Sequence, residues 1–157
     1  MREINLTQGK VAIVDDEDYE KLSKYKWGYN SYGYAKRNFT QKDGTRRQVY
    51  MHAFIIGKIN GLEIDHINNN PLDNRRCNLR HVTHQENCIN RKSLHRSSEY
   101  KGVYRNKNDK VWRSQITIRG KLYDLGGYES EKDAAWVYNV WAESFFGKYA
   151  KLNVLEI

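Results

Sequence analysis

The sequence predicts an α+β fold in two modules joined by a short linker, and three changes of pattern along the chain carry this prediction. Residues 1–50 alternate short apolar runs with glycine and polar turn residues, which is typical of a β-rich segment. Residues 61–92 follow the order strand, loop, strand and helix, whereas residues 99–157 follow the order of three evenly spaced strands and one long helix. The polar, basic stretch 93–98 is the predicted linker. The first domain is therefore expected to span residues 1–92.

The N-terminal segment predicts strands and helices that lead into the strand, loop, strand and helix unit. Acidic residues at the start of one run favour a helix, because carboxylates stabilise the positive end of the helix dipole. The dipeptide Asp43-Gly44 between two polar strands is typical of a hairpin turn. The expected elements are strands over residues 3–6 and 10–14, a helix over 15–25, a turn over 42–45, a strand over 46–50 and a helix over 51–56.

The stretch from Gly61 to Asn90 holds the most informative pattern. Asp65 and His66 lie side by side at the end of a short apolar run, and the sequence Asn68-Asn69-Asn70-Pro71 behind them predicts a turn. A second short strand then leads to Thr83, which is followed three residues later by a glutamate. This spacing is that of a capping box and predicts the start of a helix.

Four polar side chains in this stretch have the chemistry of a site that hydrolyses phosphodiesters. Asp65 and Asn87 supply oxygen ligands of the kind a hard divalent ion such as magnesium takes, and two protein ligands leave most of the coordination shell for water and phosphate. His66 carries an imidazole whose ordinary pKa is about 6.5, so it can accept a proton from water near neutral pH. Asn78 is expected to hold the loop through bonds from its side chain to the backbone.

This pattern resembles the His-Asn-His (HNH) nuclease motif in its Asp-His, Asn, Asn form, which occurs in phage and intron homing endonucleases. Asn78 follows His66 by twelve residues, and Asn87 follows Asn78 by nine. The resemblance implies a ββα-metal unit in which His66 is the general base and Asn78 orients the loop. It also implies that Asp65 and Asn87 bind one divalent ion, Mg²⁺ or Mn²⁺, per active site. A histidine occupies the position of His52 in such nucleases, and here it is expected to be an inward-facing structural residue.

The composition favours an anionic partner. The chain of 157 residues has 27 basic and 19 acidic residues, for a formal net charge of +8, which is typical of a protein that binds nucleic acid. Cys77 and Cys88 lack the spacing of a disulfide framework or a zinc site and suit a reducing cytoplasm. No run approaches the roughly 20 apolar residues of a membrane span, so membrane attachment is not expected. The predicted partner is double-stranded DNA, bound by a monomer or weak dimer in a bacterial or phage-infected cell.

Arginines close to the motif predict contacts with the DNA backbone. Arg75, Arg76 and Arg80 border the predicted scissile site. A guanidinium that positions a phosphate there would serve the chemistry directly. The hairpin before the motif is also basic, and its side chains fit either phosphate contacts or a solvated edge that prevents strands from aggregating.

The C-terminal module predicts three strands, over KGVYR, VWRSQITI and KLYDLGGY, and a helix over Glu131–Phe146. Ser130, with Asp133 three residues later, predicts the helix start, and Gly147 predicts its end. Alternate residues from Trp112 to Ile118 are apolar or small, so one face of this strand is expected to pack on the helix and the other to face a partner. The helix residues expected in the core are Ala134, Tyr138, Trp141, Ala142 and Phe145.

From Ser98 to about Asn153 the module resembles the Apetala/ethylene-response-factor type of DNA-binding domain. The shared elements are Lys101-Gly102-Val103-Tyr104, Trp112 to Ile116, Leu125-Gly126, Asp133-Ala134-Ala135, Tyr138 and Phe146-Gly147. The resemblance implies that the three-stranded sheet lies in the major groove of DNA with the helix packed behind it. Positions on the expected DNA face that depart from the family pattern are Tyr104, Thr117, Leu122 and Asp124, so the fold is expected to carry over better than the target sequence. The predicted contacts are Arg105 and Lys107, mainly to phosphate, and Arg113, Gln115 and Lys121.

Together the two modules predict a sequence-preferring DNA endonuclease of the homing type, which uses one divalent ion and a histidine base. One active site per chain predicts a nick from a monomer. The main alternative is a DNA-binding regulator that has kept the scaffold and lost cleavage, and the presence of all four motif side chains argues against it. A non-specific defence nuclease and an RNA nuclease are further alternatives. A sheet that reads a groove fits the wide major groove of B-form DNA better than the narrow one of A-form RNA.

Overall fold

The fold combines helices and strands, as the sequence predicts. A computed structural model of the chain describes residues 1–90 and 97–155. The chain forms two compact units, residues 1–85 and residues 86–157. The predicted linker spans residues 93–98, and residues 93–96 of it lie outside the described residues.

The predicted strands and helices are present, with ends that differ from the expected ones by a few residues. The strands are β1 (Arg2–Asn5), β2 (Val11–Val14), β3 (Gly28–Tyr29), β4 (Ala35–Thr40), β5 (Arg46–Tyr50), β6 (Glu63–His66), β7 (Leu79–Val82), β8 (Val103–Tyr104), β9 (Trp112–Ile118) and β10 (Lys121–Tyr128). The helices are α1 (Asp16–Leu22), α2 (Met51–Ile56), α3 (His84–Asn90) and α4 (Glu131–Phe146). Within residues 1–90 and 97–155, no helix has both the length and the apolar character that crossing a bilayer requires.

The first unit is built from small antiparallel sheets around one core. Strand β1 pairs with β2, β4 lies between β3 and β5, and β6 pairs with β7. Their inward side chains and those of the helices bury a common apolar cluster. Its members include Val14, Leu22, Trp27, Met51, Ile55 and Leu79. Because Leu79 of β7 belongs to this cluster, the β6 and β7 hairpin is packed onto the N-terminal strands.

The loop between β6 and β7 is also joined to β2 through the backbone. The amide of Ile13 donates to the carbonyl of Leu72 at 2.8 Å, and the amide of Asn74 donates to the carbonyl of Ile13 at 2.8 Å. These two bonds satisfy one edge of β2, which would otherwise present unpaired backbone groups. The N-terminal strands therefore support the loop directly.

The second unit is a three-stranded antiparallel sheet, in the order β10, β9 and β8, with α4 against one face. Side chains from β9 and α4 share the buried layer, which includes Ile116, Tyr138 and Ala142. Helix α4 begins as predicted, because the hydroxyl of Ser130 accepts bonds from the first-turn amides of Lys132 and Asp133.

Trp141 and Phe145 do not lie in the core, and their predicted burial is wrong. Their exposed fractions are 40% and 53%, and their rings stack on each other with centroids 5.6 Å apart. The buried stripe of α4 consists instead of small residues and one tyrosine: Ala134, Ala135, Tyr138 and Ala142. A sheet of only three strands covers a narrow stripe of a helix, so the two large aromatic rings remain at its margin.

Gly102 occupies a point where α4 and the sheet meet too closely for any side chain. Its φ is +75°, and a Cβ there would lie 2.0 Å from Cδ2 of Tyr138 and 2.6 Å from the carbonyl oxygen of Gln115. Gly120 has a nearly equal φ of +77° but no neighbouring atom within 4 Å of such a Cβ. A substitution at Gly120 would therefore meet backbone strain alone, whereas the same substitution at Gly102 would meet both strain and steric overlap.

We expect Gly102→Ala to lower the free energy of unfolding of the second unit by about 2–4 kcal/mol. Left-handed backbone strain of about 1 kcal/mol adds there to overpacking of roughly 1–3 kcal/mol. Gly120→Ala, the matched control, should lose only the strain of about 1 kcal/mol. Urea unfolding followed by tryptophan fluorescence measures both. Equal losses would mean that Tyr138 moves aside to admit the methyl group.

Candidate active site

The antiparallel register of β6 and β7 places the side chains of Asp65 and His66 on opposite faces of the hairpin. Asp65 pairs with Arg80, and His66 pairs with Leu79. Cross-strand partners share a face, and successive residues alternate between faces. Both side chains are buried, with exposed fractions of 6% for Asp65 and 5% for His66. The hairpin thus directs His66 towards the core side and Asp65 towards Arg80.

His66 lies against a cluster of rings, here called the aromatic cluster, which consists of Tyr34, Tyr50, His52 and His66. The His66 ring is 5.2 Å from that of His52 at an angle of 83°, and 5.8 Å from that of Tyr34. Tyr50 stacks on His52 at 5.4 Å with nearly parallel planes. Sequence pattern does not mark the tyrosines, and the only signal for His52 is its position in the family resemblance. These rings confine the orientation of the His66 imidazole.

The surroundings keep both imidazoles of the cluster neutral at pH 7. Burial lowers the pKa of His66, while Asn74, Asp65 and Asp73 oppose this shift by favouring the charged form. Burial, followed by repulsion from His66 and Lys58, lowers the pKa of His52 to about 4. A neutral imidazole is the form that can accept a proton from water. The site therefore holds His66 in the protonation state that a general base needs.

Asn78 lies at the centre of the loop that follows His66. Its side-chain amide donates to Oδ1 of Asn68 at 3.0 Å and to the carbonyl of Asp73 at 2.8 Å, and its Oδ1 accepts from the backbone amide of Asn68 at 3.0 Å. Its own carbonyl accepts from the amide of Ile67 at 2.9 Å. These contacts are of the kind expected from a side chain that orients the loop.

Two of the three predicted phosphate-binding arginines make ion pairs that hold the same loop. Arg75 donates from Nε and Nη2 to the two carboxylate oxygens of Asp73 at 2.7 and 2.6 Å. Arg76 donates in the same forked way to Asp18 on α1, at 2.7 and 2.8 Å, and its backbone amide donates to Asp15. Both guanidinium groups thus have a structural role, and their contacts with DNA stay a prediction.

Arg80, the third of these arginines, is paired with Asp65 itself. Its Nε and Nη2 donate to Oδ2 of Asp65 at 2.8 and 2.7 Å. The Arg80 side chain is 17% exposed. A carboxylate as buried as Asp65 needs such a partner, because an unpaired charge in the interior is strongly destabilising.

The donor chemistry of Asp65 fits a hard divalent ion, since a carboxylate oxygen is a preferred ligand of such ions. Residues 1–90 and 97–155 contain no group of three or more His, Cys, Asp or Glu side chains arranged to hold a metal. The ligand pair that the resemblance implies contains one carboxylate and one amide, so it does not require such a group. Asn87 lies on α3 among the residues of the second unit, and its role as second ligand stays a prediction.

In the second unit, the register of β9 and β10 separates the predicted DNA contacts by face. Arg113 and Gln115 alternate with the buried Ser114 and Ile116, so they project from the face opposite α4. Lys121 is exposed but pairs with Ile118, which places it on the other side of the sheet. Arg105 and Lys107 are exposed in the connection between β8 and β9, and the Arg105 guanidinium lies 4.4 Å from the ring centroid of Trp112. Only part of the predicted set therefore shares one surface.

Comparison with known proteins identifies the chain as a nuclease. A sequence model described as HNH endonuclease matches residues 50–88, which include both Asp65 and His66. The chain is 32% identical over 150 residues to the uncharacterized HNH endonuclease L560 of Acanthamoeba polyphaga mimivirus, across 95% of this chain and 78% of that protein. It is also 32% identical over 110 residues to Protein 3.8 of Escherichia phage T7, across 69% of this chain and 90% of that protein. The chain belongs to the HNH endonuclease family.

The lowered pKa of His52 predicts that the first unit loses stability in mild acid. As the pH falls from about 6.5 to about 4, the unfolded chain takes up a proton on this side chain before the folded chain does. The stabilisation is therefore complete above pH 6.5 and is lost towards pH 4. For His52 it amounts to at most about 3 kcal/mol, at about 1.4 kcal/mol per pKa unit. The pKa of His66 is also lowered, so this side chain contributes to the same loss of stability in acid.

Urea unfolding across this pH range measures the effect. His52→Phe keeps an aromatic ring that does not titrate, so we expect a shallower dependence of the unfolding free energy on pH. Ile59→Ala, at a half-exposed side chain that carries no titratable group, is the control and should keep the native slope. A His52→Phe slope as steep as the native one would show that other groups cause the acid sensitivity.

Proposed function

We propose that this chain is a sequence-preferring DNA endonuclease of the homing type, with His66 as its general base and Asp65 as a ligand of one divalent ion. The observation that carries the proposal is the buried His66, whose pKa burial lowers, directly after Asp65 in the chain at the end of β6 and inside the segment that matches the family. A neutral imidazole and a hard oxygen ligand at the end of one strand supply the base and the metal ligand that hydrolysis of a phosphodiester would use.

In this mechanism His66 accepts the proton of the attacking water. The aromatic cluster keeps the imidazole in one orientation, and the packed rings exclude other water from it. Asn78 holds the loop behind His66, so that the imidazole and the carboxylate of Asp65 keep their positions while the substrate binds. The divalent ion, when bound at Asp65, supplies positive charge for the phosphate. Asn87 is proposed as its second protein ligand on the strength of the resemblance.

The second unit is proposed to act as a DNA reader of the Apetala/ethylene-response-factor type. The outward face of its sheet, which carries Arg113 and Gln115, has the side chains for it, since arginine and glutamine both make paired hydrogen bonds to base edges in the major groove. Arg105 and Lys107 are proposed mainly as phosphate contacts, and Lys121 as a further DNA contact from the other side of the sheet. Such a reader would supply binding affinity and sequence preference, and the first unit would supply the chemistry.

Cleavage of supercoiled plasmid DNA tests the active-site proposal. With Mg²⁺ or Mn²⁺ the native chain is expected to nick or cut at discrete positions, and a chelator should stop the reaction. His66→Ala should lower the rate by at least about a hundredfold, which is the lower range of general-base contributions. His84→Ala, the matched loss of an exposed histidine, should keep the native rate.

Two results would contradict the proposal in different ways. Cleavage by His66→Ala at the native rate would exclude His66 as the base. DNA binding by the native chain without cleavage under any of these conditions would instead identify a DNA-binding regulator on a nuclease scaffold.

The salt dependence of DNA binding tests the role of the second unit. The logarithm of the binding constant should fall linearly with the logarithm of the salt concentration, because phosphate contacts release counterions. If Arg113 lies at the DNA surface, Arg113→Ala should weaken binding and reduce this slope by about one. Lys132→Ala on α4 removes the same charge behind the sheet and should leave the slope unchanged. Fluorescence anisotropy with a labelled duplex measures both, and equal effects would place DNA elsewhere.

A further inference from the structure

The carboxylate of Asp65 is paired with Arg80, and this pair affects how a metal ion could reach it. Both donors of the guanidinium that face the carboxylate bind its Oδ2, at 2.8 and 2.7 Å. The pair is nearly enclosed, since the two side chains are 6% and 17% exposed. A divalent cation that approaches Asp65 must therefore share the carboxylate with a fixed positive charge or displace it.

Displacement requires another anion for Arg80, because a guanidinium left unpaired in a buried place is costly. The first unit offers other carboxylates to its neighbouring arginines, but those are already engaged: Asp73 holds Arg75 and Asp18 holds Arg76. The anion that a nuclease brings to this point is the phosphate of its substrate. The planar fork of an arginine binds a phosphate in the same paired manner as a carboxylate.

We propose that Arg80 is a positioning residue that makes metal binding at Asp65 depend on a DNA phosphate. Without DNA, Arg80 neutralises and orients Asp65 and keeps its affinity for divalent ions low. With DNA, the guanidinium turns to a phosphate of the substrate, and the carboxylate becomes available to the ion. Metal and DNA then bind cooperatively, and by thermodynamic linkage each raises the affinity of the other by the same factor.

This inference rests on the proposed function, because it takes Asp65 as a metal ligand. It differs from a simple phosphate-binding role for Arg80, which would weaken DNA binding without affecting the metal in the absence of DNA. It also differs from a purely structural role, in which loss of the guanidinium would disturb Asp65 and weaken metal binding. The sign of the change in metal affinity without DNA separates these three roles.

The test is Mn²⁺ binding to the full chain, followed by the electron paramagnetic resonance signal of the free ion. All variants carry His66→Ala, so that a mixed-sequence DNA duplex stays intact, and each is titrated with and without the duplex. Arg80→Gln is the test variant. Arg75→Gln is the matched control, because it removes the same charge from a similar pair with a buried carboxylate, Asp73. Asp65→Asn reports whether this carboxylate binds the metal.

Arg80→Gln is expected to bind Mn²⁺ without DNA on the order of tenfold more tightly than the parent, in the usual range of coupling between two sites. The factor by which the duplex raises Mn²⁺ affinity should fall by a similar amount. Arg75→Gln should match the parent without DNA. Unchanged or weaker Mn²⁺ binding by Arg80→Gln, or an equal gain in Arg75→Gln, overturns the proposal.

The Asp65→Asn variant distinguishes failure of the Arg80 proposal from failure of the proposed nuclease function. If Asp65→Asn binds Mn²⁺ with the duplex as well as the parent does, Asp65 is not a metal ligand and both proposals fail. If Asp65→Asn loses that binding while Arg80→Gln behaves as the parent, the nuclease proposal stands and the role of Arg80 is refuted.

A second measurement covers the case in which Arg80→Gln does not fold. The Nε–H signal of Arg80 in the ¹⁵N–¹H spectrum of the parent chain is assigned by its absence from Arg80→Lys, which keeps the positive charge. We expect this signal to shift when Mg²⁺ and the duplex are added together and to change little with Mg²⁺ alone. A signal that stays in place with both ligands bound would mean that Arg80 never leaves Asp65.

Discussion

The pairing register of β6 with β7 is the constraint on which the proposed active site depends. It sets His66 opposite Leu79, a residue of the core, and Asp65 opposite Arg80. A slip of one residue would exchange the two faces of the hairpin. The imidazole would then leave its contacts with other rings, and the carboxylate would enter apolar surroundings without its counter-ion. A single geometric choice thus determines both the basicity of His66 and the charge balance of Asp65.

Several long-range contacts keep this register by fixing the loop between the two strands. Asn78 ties the loop to itself, and Arg76 ties it to α1 by its pair with the buried Asp18, 58 residues away in sequence. Loss of Arg76 would leave the buried carboxylate of Asp18 without this partner, which is unfavourable. Rigidity at this point would serve the proposed chemistry, because a base and a metal ligand act only when their separation is fixed.

Local chemistry made the elements and the central residues predictable. Turn residues, caps and alternation located the β6 and β7 hairpin, the sheet of the second unit and α4. The Asp65-His66 pair indicated the proposed site, and its burial at the end of β6 agrees with the predicted position. The partners of the arginines could not be predicted, since they depend on contacts between distant segments. The exposure of Trp141 was missed because helical spacing identifies a face but not how much of it a small sheet covers. His52 was expected to face inward, but its ring contacts with Tyr34, Tyr50 and His66 were not predicted, because stacking leaves no periodic signal.

The backbone bonds between β2 and the loop mean that the motif is not an independent building block. Ile13 both donates to and accepts from that loop, so residues that precede the motif by some fifty positions complete its hydrogen bonding. An isolated stretch from β6 to α3 would lack both this strand and the core beneath Leu79. Transfer of the site into another scaffold would therefore have to bring the N-terminal strands along, and recombination within the family would preserve activity only where its breakpoints spare that connection.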